Sequence, residues 1–217
     1  MIFLYRMLDI VKKTNYQSKI LINSDIVFLN SSEIEQATEI LVEAFREDPM
    51  FRYLGTEVEQ ELQINSNALE YFCKMSLQNC QPYHHIYTTA NNLKGVAVWI
   101  PPGKSEMNAW QFLSMLLVLP GKCGWHKTGR CLSLLSALNK RHQKEMTEPH
   151  WNLSLLGVAP AYRGQGIGSL LLQPVLKLAD RECFPCYLST FNQQAISFYQ
   201  KHKFTVLWQG KLSDLTG

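Results

Sequence analysis

The sequence predicts one α/β (α+β) domain, and three observations support this prediction. Strand-like and helix-like hydrophobic patterns alternate along the 217 residues. A composition of 46% hydrophobic and 18% charged residues is typical of a chain with a well-buried core. Residues 153–179 pass from an apolar strand through a glycine-rich turn into a helix, which is a common supersecondary unit of mixed folds.

The first elements of the domain are predicted from their apolar residues and from the residues that begin and end each element. Residues 26–29 form a short apolar strand. Ser32 and Glu35 then match a capping box, which opens a helix with one apolar face. Asp48-Pro49 ends that helix, because the residue before a proline disfavours the helical region.

A second helix and a β-hairpin follow. The hairpin is predicted for residues 84–89 and 95–100, which are apolar runs on either side of Asn91-Asn92. The helix before it is indicated by an apolar stripe of Val58, Leu62, Leu69, Phe72 and Cys73.

The domain organisation follows from this pattern. Residues 1–25 are predicted to be an N-terminal extension with an added helix or strand, and residues 26–217 one domain with a helical insertion at about 106–146. Charged residues interrupt the N-terminal apolar run, and the apolar run at 113–119 is too short to cross a bilayer. We therefore expect no membrane partner.

Charge and cysteine content exclude other classes. A net charge of +3 with dispersed basic residues argues against nucleic-acid binding. The six cysteines of a chain with a full core do not indicate a disulfide framework, so we expect a reduced, cytoplasmic protein. Cys183 and Cys186 have the spacing of half a metal or redox motif, but no second half is present, and we expect no metal.

The glycine-rich turn predicts a binding site for a phosphate group. Gly164, Gly166 and Gly168 allow backbone N–H groups of the turn and of the first helical turn to point at one anion, here a pyrophosphate. The spacing is Gly-x-Gly-x-Gly rather than the dinucleotide fingerprint Gly-x-Gly-x-x-Gly, and residues 98–105 lack the first glycine of a P-loop. Nucleotide binding through the same turn stays an alternative.

Together with downstream signatures, the turn resembles a known family. Arg163, Gly166 and Gly168 match the Arg-x-x-Gly-x-Gly pattern of Gcn5-related N-acetyltransferases (GNAT). Residues 186–204 are similar to the second signature of that family, with a strand, Asn192 and a Phe-Tyr helix. Further segments at 43–49, 95–103 and 150–158 resemble the branch that contains puromycin N-acetyltransferase, so the resemblance spans about residues 26–210.

This resemblance implies a fold and an activity. The fold would be a mixed, mostly antiparallel central sheet flanked by helices, with splayed central strands. The activity would be direct transfer of an acetyl group from acetyl-CoA to an amine, and we expect this amine to belong to a small molecule. The cofactor-binding residues implied by the family pattern are Gly157 and Val158 for the pantetheine arm, Arg163, Gly164, Gln165, Gly166, Ile167, Gly168 and Ser169 for the pyrophosphate, and Asn192.

The same resemblance assigns chemical roles. Tyr199 would be the general acid that protonates the departing thiolate, since a phenol is neutral at pH 7; a tyrosine packed in the core is the alternative. Asn192 could equally cap a helix. The proton acceptor is not identified, although Glu43 and Asp48 lie near the acceptor side by analogy. The insertion, with Trp110, Met115, Trp125 and His126, would lie beside the acceptor as core or as pocket.

The sequence also departs from the family pattern. Ser189 stands where many relatives have Glu, and Lys203 replaces a glycine at a turn that favours positive φ. One strand-like run, residues 205–209, is left for the end of the sheet, so the N-terminal extension or a partner subunit could fill the remaining edge. These departures keep open a non-catalytic acyl-CoA-binding module, and they are compatible with a homodimer.

Overall fold

A computed structural model describes residues 1–7, 25–55, 66–105, 107 and 109–210. In these residues seven strands form one sheet. The strands are β1 (Ile2–Arg6), β2 (Ile26–Phe28), β3 (Ile86–Thr89), β4 (Gly95–Ile100), β5 (Trp151–Val158), β6 (Cys186–Thr190) and β7 (Thr205–Gln209). Their order across the sheet is β2-β3-β4-β5-β6-β1-β7. Only the β5–β6 pair is parallel among the strand pairs described, so the expected mixed, mostly antiparallel sheet is confirmed.

The N-terminal strand β1 lies inside the sheet. It pairs antiparallel with β6 on one side and with β7 on the other. Ile2, Phe3 and Leu4 are at most 1% exposed, and Arg6 makes a two-pronged ion pair with Asp180 at 2.7 and 2.8 Å. The sequence placed these residues in an extension outside the domain and considered it a filler for a sheet edge. The expected added strand is confirmed, but its place is corrected, because β1 lies between β6 and β7 and not at an edge of the sheet.

Helices cover both faces of the sheet. The helices are α1 (Ile34–Phe45), α2 (Pro49–Gly55), α3 (Ser66–Cys80), α4 (Ala109–Cys123), α5 (Trp125–Glu145), α6 (Ile167–Glu182) and α7 (Ile196–Lys201). Buried side chains of α1 and α3 pack on one face against Val96, Val98 and Ile100 of β4. Those of α6 and α7 pack on the other face against Ala97 and Trp99. The alternation of β4 follows from the two-residue period of a strand.

A β-bulge in β5 sets up the central opening of the sheet. Leu153 lies opposite Trp99 and Leu155 lies opposite Val98, so Ser154 is an extra residue. The extra residue reverses the alternation, and Leu153 therefore packs on the α6 face while Leu155 packs on the α1 face. Pairing between β5 and β6 is recorded only up to Leu153, so the two parallel strands diverge beyond it. The expected splayed central strands are confirmed.

Most element predictions agree with the structure, and one detail is wrong. The capping interaction before α1 joins Asn30 and Glu33, because the Asn30 N–H donates to Glu33 Oε2 at 2.9 Å, and not Ser32 and Glu35. Glu35 instead pairs with Lys74 on α3. Pro49 begins α2, consistent with proline at the start of a helix. Val58 and Leu62 lie outside the described residues.

Candidate active site

The glycine-rich turn is open at the start of α6. Gly164 and Gly166 have φ of +76° and +80°, where glycine is favoured, and a Cβ at either position would meet nothing within 4 Å. Gly166 is the N-cap of α6 and provides no side-chain acceptor, and the helix has no acidic residue in its first turn. The first N–H groups of a helix lack intrahelical partners. This turn can therefore receive an anion directly on its backbone.

The other side chains of the turn hold its shape. Arg163 Nη2 donates to the Ala44 carbonyl at 2.9 Å, and its Nε donates to the Val158 carbonyl at 3.3 Å. The guanidinium thus ties the end of β5 to the end of α1. Ser169 Oγ lies 2.9 Å from His202 Nε2, which links α6 to the end of α7. The side chains of Arg163 and Ser169 thus have structural partners, and the role of both residues in binding a pyrophosphate stays a prediction.

Gly157 and Gly168 allow close packing around the turn. A Cβ on Gly157 would lie 2.8 Å from Leu41 Cδ2 and 3.0 Å from Ala44 Cβ, so α1 sits directly on the strand. A Cβ on Gly168 would lie 3.2 Å from Phe198 Cζ. Gly157 and Val158 belong to the part of β5 that no longer pairs with β6. One edge of the strand there faces the gap between the two diverging strands.

A cavity of about 600 Å³ lies where β5 and β6 diverge. Its walls come from β5 and β6, from α5, and from the segment that joins α1 to α2. Many of the lining side chains are apolar, among them Phe45, Phe51, Phe72, Phe112, Leu132, Leu135 and Phe191. Uncharged polar residues also line it, namely Ser105, Ser136, Asn139, Asn152, Ser154, Ser189 and Thr190. Asp48, His142, Tyr187 and Tyr199 are its titratable groups among the described residues. An apolar cavity with a few polar groups is the usual form of a small-molecule site.

Tyr199 connects the cavity to the glycine-rich turn. It lies on α7 next to Phe198, the residue that packs on Gly168, and its own side chain lines the cavity. Burial, with a smaller contribution from the negative charge of Asp48, raises the pKa of Tyr199 well above 10. The phenol therefore keeps its proton across the physiological pH range and can act as a donor.

A model of the acetyltransferase (GNAT) family matches residues 83–204. The match covers more than half of the 217 residues and includes the turn, the splayed strands and Tyr199. The chain belongs to the GNAT family. The sequence-based identification and the expected N-acetyltransferase class are confirmed at the level of the family. The resemblance to the puromycin N-acetyltransferase branch stays a prediction.

Relatives of known sequence are distant. The chain is 26% identical over 210 residues to a probable serine/threonine-protein kinase of Dictyostelium discoideum, covering 87% of this chain but 21% of that protein. It thus spans about a fifth of that relative's length. It is 23% identical over 188 residues to an uncharacterized N-acetyltransferase of Schizosaccharomyces pombe, covering 81% of this chain and 72% of that protein.

A solved structure supports the GNAT fold. The Drosophila melanogaster polyamine N-acetyltransferase, described as catalysing formation of N-acetylagmatine, superposes with a TM-score of 0.53. The two chains are 21% identical, and the match covers 82% of each. At this identity the likeness concerns the fold alone.

Three further residues that the family resemblance singled out are Asn192, Glu43 and Asp48. Asn192 Oδ1 accepts the Gln194 N–H at 2.9 Å, so the side chain caps a short helix. Its role in cofactor binding stays a prediction. Glu43 is exposed and does not line the cavity, whereas Asp48 does, with its Oδ1 accepting the Met50 N–H at 2.8 Å.

The helical insertion contributes to the cavity through residues that the sequence did not single out. Met115 is buried in the core, and Trp110, Trp125 and His126 are exposed, so none of the four lines the cavity. Phe112 and several α5 side chains line it instead. Of the two alternatives for these residues, core is correct for Met115, whereas Trp110, Trp125 and His126 belong to neither, because the helices turn their side chains to solvent.

His142 and Tyr187 are cavity residues that sequence reasoning missed. Their rings stack with centroids 4.3 Å apart and planes 3° apart. His142 Nε2 lies 2.6 Å from His150 Nε2. No motif marks these residues, since they come from α5 and β6 and meet only in the folded chain.

Cys183 and Cys186 do not form a reactive pair. Cys183 is exposed at the end of α6, while burial raises the pKa of the Cys186 thiol to about 12. A thiol with this pKa stays protonated and is a poor metal ligand or nucleophile. Within the ranges that the structure covers, no helix is long and apolar enough to cross a membrane.

Proposed function

We propose that this protein transfers the acetyl group of acetyl-CoA to the amino group of a small molecule. The observation that carries the proposal is the cavity between the splayed strands, which places Tyr199 and Asp48 in one space beside the glycine-rich turn. Residues 163–169 would hold the pyrophosphate through backbone N–H groups, and the open edge of β5 at Gly157 and Val158 would hold the pantetheine amides. When bound, acetyl-CoA supplies a thioester carbonyl for attack by the amine.

The residues of the cavity have separate roles in this proposal. Asp48 binds the ammonium form of the acceptor, because it is the carboxylate found in the described lining. Tyr199 donates its proton to the departing thiolate. The phenylalanines and leucines around them bury the body of the acceptor. We therefore propose an amine with an apolar body, in preference to a polyamine that would place several charges in this cavity.

Release of free thiol from acetyl-CoA tests this function. Phenethylamine and hexylamine represent apolar monoamines, and spermidine represents polyamines. We expect faster thiol release with the monoamines. Isothermal titration calorimetry with coenzyme A measures cofactor binding separately, so heat of binding without thiol release from any amine would favour the non-catalytic acyl-CoA-binding module. A cytoplasmic location and a homodimer stay predictions.

The Tyr199→Phe variant tests the proposed acid. Loss of the hydroxyl should lower kcat by about 100-fold and leave the affinity for coenzyme A unchanged. Tyr71→Phe is the matched control, because Tyr71 lies on α3 and does not line the cavity. Undiminished kcat in Tyr199→Phe would remove Tyr199 from the acid role.

A further inference from the structure

The histidine pair beside the cavity provides a route for a proton. We propose that His142 accepts the proton that the acceptor amine loses, and that His150 passes this proton to solvent. This inference rests on the proposed acetyl transfer and identifies the proton acceptor that the reaction requires. Among the described residues that line the cavity, His142 begins a hydrogen-bonded chain of titratable groups that leads outward.

The contacts of His142 and His150 define the path along which the proton would move. His142 lines the cavity from α5, and Tyr187 holds its ring by stacking. Its Nε2 lies 2.6 Å from Nε2 of His150, which is half-buried. The second ring nitrogen of His150, Nδ1, lies 2.7 Å from the carbonyl oxygen of Glu148, an exposed residue. The chain thus runs from the cavity to the surface in two hydrogen bonds.

The carbonyl of Glu148 determines where the protons sit. A carbonyl oxygen only accepts, so His150 Nδ1 must carry a proton and donate it. When both rings are neutral, His150 Nε2 is then unprotonated and accepts a hydrogen bond from the Nε2–H of His142. Because a neutral imidazole carries one ring proton, His142 Nδ1 is unprotonated as well. The structure therefore makes His142 Nδ1 the nitrogen that can take up a proton.

The transfer can be written with every proton accounted for. The acceptor, bound at Asp48 as an ammonium ion, first loses one proton to solvent, which frees the lone pair for the attack. As the bond between the amine nitrogen and the acetyl carbon forms, the nitrogen becomes more acidic and gives a second proton to His142 Nδ1, directly or through a water. Tyr199, which has given its proton to the departing thiolate, regains one from solvent. The Nε2 proton of His142 moves to His150 Nε2, which leaves His142 neutral and His150 cationic. His150 then loses its Nδ1 proton to solvent, which leaves His142 with Nδ1–H and His150 with Nε2–H. When the product has left, a solvent proton returns to His150 Nδ1, the shared proton moves back to His142 Nε2, and His142 gives its Nδ1 proton to a water in the open cavity, which restores both tautomers.

The surroundings keep His142 neutral before it acts. Burial and the neighbouring His150 lower the pKa of His142 to about 4. At pH 7 the imidazole is therefore neutral, and a proton that it takes up must pass on to His150, because a cation does not persist inside the cavity. Asp48 faces the same cavity. The other charged or titratable groups around the pair are Arg141 and Glu145 on α5, Glu148 before β5, Tyr187 on β6 and Tyr5 on β1.

Nuclear magnetic resonance on the full ¹⁵N-labelled chain tests the proton positions without any turnover. Long-range ¹H–¹⁵N spectra at pH 7 should show His142 as the Nε2–H tautomer and His150 as the Nδ1–H tautomer. Substitution by His142→Gln and His150→Gln assigns the two rings. A His142 ring that carries its proton on Nδ1, or on both nitrogens, at pH 7 would overturn the proposal.

Kinetics test the role of the pair in acetyl transfer. His142→Gln should lower kcat/KM for the amine by about 100-fold at pH 7, with the affinity for coenzyme A unchanged. His150→Gln should lower kcat by about 10-fold, and added imidazole should restore much of that loss, because a buffer base can replace a relay. His126→Gln is the matched control, an exposed histidine on the same helix. We expect it to behave as wild type.

Each outcome separates the relay from the proposed function. If His142→Gln does not fold, recovery of kcat in His150→Gln on addition of imidazole still tests the relay. A purely structural histidine would show no such recovery, and that result would overturn the relay. A folded His142→Gln whose kcat/KM stays within twofold of wild type would overturn the relay alone. Wild-type protein that binds coenzyme A but releases no thiol with any amine would overturn the proposed transfer and the relay together.

Discussion

Asp48 places a carboxyl group in an apolar cavity, and burial raises its pKa above the ordinary value of 3.8. The folded state therefore favours the protonated form more than the unfolded state does. Its contribution to stability is complete below the ordinary pKa and is lost as pH rises through the higher pKa of the folded state. At neutral pH the ionised carboxylate consequently lowers the free energy of unfolding.

The Asp48→Asn variant separates this effect from function. We expect it to melt at a higher temperature than wild type at pH 7, with the difference shrinking as pH falls towards 4. Thiol release should fall by at least 10-fold, because the ammonium group loses its charged partner. Glu43→Gln is the control, since Glu43 is exposed and lies outside the cavity. A melting temperature that is lower than wild type at pH 7 would contradict the expected sign.

At the scale of elements, Gly157 determines how closely α1 approaches β5. A Cβ at this position would lie 2.8 Å from Leu41 and 3.0 Å from Ala44, so Gly157→Ala must push the helix away from the strand. We expect a loss of about 2 kcal/mol in the free energy of unfolding, measured by urea denaturation. Weaker binding of coenzyme A should accompany it, because Arg163 bonds Ala44 at the end of the same helix.

Gly129 is the matched control for that substitution. It lies within α5, and a Cβ there would meet nothing within 4 Å. Gly129→Ala should therefore raise the free energy of unfolding by about 1 kcal/mol, because alanine has the higher helix propensity. Two glycine-to-alanine changes of opposite sign would show that packing at Gly157, and not loss of glycine as such, causes the effect. A destabilised Gly129→Ala would contradict this reading.

The elements also show what sequence reasoning could and could not predict. Local signals were sufficient for β2 to β7, for the glycine turn and for the helix that carries Tyr199, because spacing and turn residues determine them. The start of α1 was less certain, since Asn30, Ser31 and Ser32 are all good caps and tertiary contacts select among them. His142 and Tyr187 left no local signal, because their meeting depends on the course of the whole chain.

At the scale of the whole molecule, β1 joins the two ends of the described chain. Leu4 is fully buried between β6, β7 and the helices of one face. Leu4→Ala should lower the free energy of unfolding by about 3 kcal/mol, because it leaves a cavity in the core. Met7→Ala, at a residue that is 73% exposed, should change it by less than about 0.5 kcal/mol. Equal unfolding midpoints for the two variants would argue against an interior β1.

The position of β1 also has a consequence for how the protein is made. β1 precedes the other six strands of the sheet along the chain, yet its two neighbours, β6 and β7, are the last two of these strands to leave the ribosome. Ile2 pairs with Gln209, so the contact closes a loop of about 200 residues. The apolar strand β1 therefore stays unpaired while the intervening strands of the sheet are synthesised. We expect completion of the sheet to be a late and slow step, and β1 to need protection from other apolar surfaces until then.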